Sequence, residues 1–133
     1  MATIKSKEVQ INSGSLDIYN FLSDLNNLQN LMPEDKVLNW KSDKETCSFT
    51  IKGLSGIGMK KESGTEGEKV HIVSHGKNPF DFTLDIDLKE ANGSTKAQLT
   101  FDGNMNFMIQ TMASGPLTNL FNMMADKLVS KFA

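Results

Sequence analysis

The sequence predicts an α+β domain in which an antiparallel sheet is covered on one face by a long C-terminal helix. Three observations predict it. Phe80 to Glu90 alternates, with Phe80, Phe82, Leu84, Ile86 and Leu88 facing one way and Asp81, Thr83, Asp85 and Asp87 the other. A half-buried antiparallel strand has this pattern. Asn92-Gly93 follows, and that dipeptide suits a two-residue primed hairpin turn. Beyond the returning strand, Leu117, Leu120, Phe121, Met124 and Leu128 recur at helical spacing. Strands in series followed by a helix place the chain in the α+β class.

Each element has its own local reason. Lys5 to Asn12 reads as one strand, with Val9 and Ile11 on one face. Ser13 or Ser15 is placed to cap a short helix, and Asp17 in its first turn suits the helix dipole. Ile18, Phe21, Leu22 and Leu25 give it an apolar face. Asp24 caps a second short helix carrying Leu28, Leu31 and Met32, which Pro33 stops. Strands are expected over Val37–Lys41, Thr46–Lys52, Ile57–Glu62, Val70–Ser74, Phe80–Glu90 and Thr95–Asp102. A helix from about Met105 to Lys131 closes the chain. The order is strand, two short helices, six strands and a long helix, with about seven strands in one sheet.

At 133 residues the chain fits one domain, read here as 1–133. One cysteine excludes an internal disulfide framework and suits a reducing compartment, taken as the cytoplasm. All 14 basic residues are lysines, which excludes sites built on an arginine clamp. The net charge of -2 argues against bulk electrostatic binding to nucleic acid. Met105 to Ala125 carries no charge, but its Asn, Gln, Ser and Thr side chains would not be accepted by hydrocarbon, so no membrane span is expected. The opening residues lack the apolar core of a signal peptide.

Motifs that would carry chemistry are weak. His71 and His75, four apart on a strand, stand about 13 Å from each other and cannot share one metal. Asp81, Asp85 and Asp87 share a face opposite the phenylalanines, so they are expected to face water beside lysines. Gly53, Gly56 and Gly58 are in the wrong order for a dinucleotide fingerprint, and a hairpin explains them. Cys47 shares a face with Phe49 and Ile51, which suits a buried structural thiol. No cofactor, metal or catalytic residue is expected.

The element order and several segments resemble the START-like superfamily of helix-grip proteins, also called SRPBCC. The residues that carry the resemblance run from Val9 to Asp35: Val9 and Ile11, the small-residue step Ser13 to Ser15, the helix ending Tyr19, Phe21, Leu22 and Asp24, and Leu31 to Pro33. Val37 to Lys60 is similar to the next strands of that family, and Asn78 to Phe80 and Asn119 to Met124 resemble segments of small bacterial members. The resemblance implies a curved antiparallel sheet gripping the long C-terminal helix, with a cavity between them. It implies function less narrowly, since the superfamily includes carriers of lipids and other hydrophobic ligands, polyketide cyclases and aromatases, and co-chaperone domains.

The leading expectation is noncatalytic binding of a small hydrophobic or amphipathic molecule, lipid-like or aromatic, in that cavity. The expected wall residues are Phe49, Ile51, Met59, Ile72, Phe82, Leu84, Phe101, Met108, Met112 and Phe121. Met105, Met108, Ile109 and Met112 form a second stripe that points well away from the later one on a straight helix, and a kink at Gly115-Pro116 would bring both onto the sheet. The alternatives are a cyclase- or aromatase-type enzyme, which needs polar groups in the cavity, and an interaction module, including a homodimer, that uses the uncharged helix surface near Met105 to Met112 and Met123.

Overall fold

A computed structural model describes residues 2–133. The elements are β1 (Ala2–Lys5), β2 (Val9–Ile11), α1 (Ser15–Ser23), a 3-10 segment (Leu25–Leu31), β3 (Val37–Ser42), β4 (Thr46–Ile51), β5 (Gly56–Thr65), β6 (Lys69–Ser74), β7 (Phe82–Ala91), β8 (Ser94–Gly103) and α2 (Phe107–Lys131). All pairings are antiparallel, in the order β1-β8-β7-β6-β5-β4-β3, with β2 also paired to β8. The sheet therefore has eight strands rather than about seven.

The extra strand comes from Ser6. One continuous strand is expected from Lys5 to Asn12, but the ladder breaks there. The Ser6 amide donates to the Leu99 carbonyl at 2.9 Å, and the Leu99 amide donates to the Ser6 hydroxyl at 3.0 Å. Gln98 Nε2 also donates to the Ser6 carbonyl. A side-chain oxygen thus takes the place of a backbone acceptor, and β1 and β2 lie along successive stretches of the same β8 edge.

The cap of α1 also departs from expectation. Gly14 is the N-cap residue, and neither Ser13 nor Ser15 caps the helix through its side chain. Glu90, at the end of β7, accepts from the Ser15 amide at 2.6 Å instead. A carboxylate suits this end of the helix dipole. Glu90→Ala is expected to lower the unfolding free energy by about 1 kcal/mol, as loss of an N-cap does, and chemical denaturation measures it. Asp24 does cap the 3-10 segment, accepting from the Asn26 amide.

The β7–β8 hairpin forms as predicted, with Asn92 and Gly93 both at positive φ (56° and 80°). Its inner face pairs Leu84 with Phe101, Ile86 with Leu99 and Leu88 with Ala97. Strand β7 begins at Phe82, not Phe80, because the Phe82 amide bonds to the Ser74 hydroxyl and Asp81 lies in the preceding loop. Asp81 therefore leaves the acidic row. Asp85 and Asp87 remain on the outer face, beside His71 (2.5 Å) and Lys69 (3.6 Å). His75 lies past the end of β6, exposed in the following loop.

Helix α2 starts at Phe107, two residues later than expected, with the Asn106 side chain accepting from the Ile109 amide. It remains one helix through Gly115-Pro116. Glycine and proline there cost about 1 and about 3 kcal/mol relative to alanine in a helix interior. Packing of Leu117, Leu120, Phe121, Met124, Ala125 and Leu128 offsets that cost on the C-terminal side.

Candidate functional site

The inner face of the sheet and the buried side of α2 enclose a small cavity. Phe49 and Ile51 (β4), Met59 (β5), Phe82 and Leu84 (β7) and Phe101 (β8) form its sheet side. Leu117, Leu120, Phe121 and Met124 cover it from α2, and Met32, just past the 3-10 segment, closes one side. Strand alternation explains the sheet side, since these positions share the pleat face that meets the helix. Phe101 is the hub of the aromatic wall, with ring centroids 5.1 Å from Phe82 and 5.4 Å from Phe121. Phe80 stands edge-on to Phe101 at 6.1 Å.

The wall is apolar throughout and carries no titratable group. The free space is about 20 Å³, enough for one water-sized molecule. An apolar hole of this kind stays dry. A bound molecule of any size must therefore displace wall side chains.

Seven of the ten expected wall residues come together at this cavity: Phe49, Ile51, Met59, Phe82, Leu84, Phe101 and Phe121. Ile72 is fully buried on the same sheet face, paired with Leu84, but lies outside the cavity wall. Met108 and Met112 are 71% and 63% exposed on the solvent side of α2. The expectation that they face the sheet is corrected: α2 runs as one helix through Gly115-Pro116, and Met108 and Met112 lie on another side of it from the buried stripe of Leu117, Leu120, Phe121, Met124 and Leu128. Met32, Leu117, Leu120 and Met124 are wall residues that the ten do not include. The three from α2 belong to the later apolar stripe, which carried the signal; Met32 read only as an apolar residue at the end of the second short helix, and its place in the wall depends on the turn at Pro33.

Lys127, on α2, donates from Nζ to the Met32 carbonyl at 2.9 Å, tying that turn to the helix. Trp40 stacks on Phe49 with centroids 5.3 Å apart, and its Nε1 donates to Ser42. The only tryptophan thus lies against a wall residue and reports on it by fluorescence.

Cys47 is buried beside this region, and burial, with a smaller contribution from the Asp43 charge, pushes its thiol up to about 12. At neutral pH it is a thiol and a poor nucleophile. A thiol-specific reagent is expected to leave the native protein unmodified and to label it in denaturant. The folded value lies above the model-peptide value of 9.0. Cys47 therefore favours the folded state fully below about 9, and that contribution is lost as pH rises toward about 12. Asp43 shifts the opposite way, held below the ordinary carboxylate value by amide donation from Glu45 and Thr46.

A larger open depression, about 650 Å³, lies against the outer face of β3 to β5. Its charged and histidine side chains, Lys41, Asp43, His75 and Lys77, are all exposed, whereas Cys47, Phe49 and Ile57 in its lining are buried. Among the described residues no group of three or more His, Cys, Asp or Glu side chains is arranged to hold a metal. No helix among them is long and apolar enough to cross a membrane.

A curved antiparallel sheet closed around a long C-terminal helix, with two short helical segments between its first strands, is the START-like helix-grip fold. Solved structures share it along the whole chain. The protein XoxI from Bacillus cereus is 12% identical with a TM-score of 0.75, covering 99% of this chain and 96% of that one. A protein from Thermobifida fusca is 8% identical with a TM-score of 0.72, covering 99% and 93%. A START superfamily protein from Mycobacterium smegmatis is 12% identical with a TM-score of 0.69, covering 98% and 96%. No family profile matches the chain, and no curated protein matches it.

Proposed function

We propose that the protein binds one small apolar or amphipathic molecule, lipid-like or aromatic, between the sheet and α2, in the cytoplasm and without catalysing a reaction. The observation that carries this reading is the wholly apolar cavity at the centre of the grip, walled by phenylalanines and three methionines, Met32, Met59 and Met124. Methionine is unbranched and flexible, so a wall containing it can rearrange around varied shapes. The ligand occupies a cavity larger than the empty one. Its affinity is the apolar burial, roughly 25 cal/mol per Å², less the cost of that rearrangement. The fold relatives include a START superfamily protein, which agrees with the reading. The lone buried Cys47 suits a reducing compartment.

Native mass spectrometry of freshly purified protein tests this. A stoichiometric apolar adduct, released on denaturation, is the expected result. A bare-chain mass, with no apolar compound in the extract, counts against it.

A second reading is self-association. Phe107, Met108 and Met112 are 84%, 71% and 63% exposed along a helix stretch with no charge. Large exposed apolar side chains in a cluster mark contact surfaces. Sedimentation analysis separates the readings: a dimer dissociated by Met108→Lys supports association, and a monomer at high concentration removes it.

A further inference from the structure

The cavity wall has no charge, but a charge stands at its rim. Lys127 lies one heptad beyond Leu120, and so within about 20° of it around the axis of α2. Leu120 and Met124 line the cavity. An apolar residue at 127 would continue their stripe, and a lysine interrupts it. Met124, Ala125 and Leu128 around it are buried, and Lys127 itself is partly buried. Its ammonium donates to the carbonyl of Met32, a wall residue, at 2.9 Å. The aliphatic stem thus runs along apolar surface and the charged head reaches the edge of the cavity. That head is short of partners. Among the described residues no carboxylate stands within ion-pair distance of it. The adjacent Asp126 pairs with Lys7 at 2.7 Å, and Glu34 and Asp35, just past the Met32 turn, are exposed. An ammonium has three N–H donors. Met32 takes one, and no second acceptor among the described residues takes another.

We propose that Lys127 holds the carboxylate of the ligand, which makes that ligand an ionised apolar monocarboxylic acid. This rests on the ligand-binding reading above and names the chemical class of its ligand. The apolar body lies among Met32, Met59, Met124 and the phenylalanines, a wall that offers no charged partner to a head group. At the rim, the free N–H donors of Lys127 meet the carboxylate oxygens. Hydrogen bonds between ionised partners are shorter and about twice as strong as neutral ones. The Met32 carbonyl keeps its own bond, so binding the acid leaves no acceptor bare. A neutral amphiphile leaves the ammonium with the carbonyl alone, and a cationic one is repelled. The chain has no arginine to fork around a phosphate, and a single ammonium suits a single negative charge.

Displacement of N-phenyl-1-naphthylamine, a neutral fluorescent probe, from the full chain at neutral pH tests the assignment. Two acid–alcohol pairs share a body and differ in charge: decanoic acid with decanol, and naphthylacetic acid with naphthylethanol. The acid is expected to bind at least about tenfold more tightly than its alcohol, the worth of one charge-assisted hydrogen bond. The pair that binds more tightly tells an alkyl from an aryl body. Lys127→Met is expected to bring the acid-to-alcohol ratio to about one, and Lys127→Arg to keep it. The ratio is the quantity read, because damage to the Met32 turn weakens acid and alcohol alike. Equal affinity of acid and alcohol in the wild-type protein overturns the role of Lys127 and leaves the ligand-binding reading standing. An acid preference that survives Lys127→Met does the same. A wild-type protein that takes up no probe overturns the ligand-binding reading, and the role of Lys127 with it.

Discussion

Phe121→Ala is expected to lower the unfolding free energy by about 3–5 kcal/mol, the usual cost of truncating a buried phenylalanine. Phe121 is 4% exposed, and its ring lies 5.4 Å from that of Phe101 at a tilt of 34°. The loss combines the apolar surface no longer buried with the hole left behind. That hole adjoins the existing cavity, because Phe121 is part of its wall. The variant is therefore expected to be less stable and yet to bind N-phenyl-1-naphthylamine more tightly, since less wall has to move. Urea unfolding followed by Trp40 fluorescence gives the first quantity, and a probe titration on the folded variant gives the second. A loss below about 1 kcal/mol would show that the site collapses freely around the missing ring.

Gly58→Ala is expected to cost about 3 kcal/mol, the upper range for overpacking. The loop after β6 crosses the outer face of β5 at this residue. The His75 amide donates to the Gly58 carbonyl at 2.9 Å, and the Gly58 amide donates to Asn78 Oδ1 at 2.9 Å. A Cβ on Gly58 would lie 2.2 Å from the His75 carbonyl oxygen. The obstacle is backbone, so it cannot be relieved by turning a side chain. Gly56→Ala, in the same strand, is the control: nothing lies within 4 Å of the added carbon. It is expected to change stability by about 0.5 kcal/mol or less. The difference between the two denaturation midpoints isolates the crossing loop from any general effect of glycine in a strand.

What the sequence made legible was periodic. The alternation of Phe82, Leu84, Ile86 and Leu88, and its partner in Ala97, Leu99 and Phe101, set the hairpin register and the inner face of the sheet. The wall residues drawn from strands followed from it, because a pleat fixes which side chains share a face. The unread features depend on single atoms from distant residues. Ser6 ends β1 through a hydroxyl that meets Leu99, and Glu90 caps α1 from 75 residues away. Gly58 falls within the expected strand Ile57–Glu62, but nothing in the sequence shows that it makes room for the chain above it. Met108 and Met112 were misplaced because a Gly-Pro pair in the sequence does not reveal whether the helix re-aims its faces. Here α2 is one helix and the two methionines stay in solvent. Met32 enters the wall by a turn whose geometry Pro33 and the Lys127 contact define together.

The methionines provide the most direct test of where an apolar molecule binds. The chain has 8 of them. Met32, Met59 and Met124 line the cavity, whereas Met108 and Met112 stand exposed on α2. With methionine methyl groups labelled with carbon-13, nuclear Overhauser contacts to bound N-phenyl-1-naphthylamine separate the two locations in one spectrum. Contacts from the probe to the methyls of Met32, Met59 and Met124 are the predicted result. Contacts confined to Met108 and Met112 would place the probe on the outer surface of α2 and contradict binding between sheet and helix.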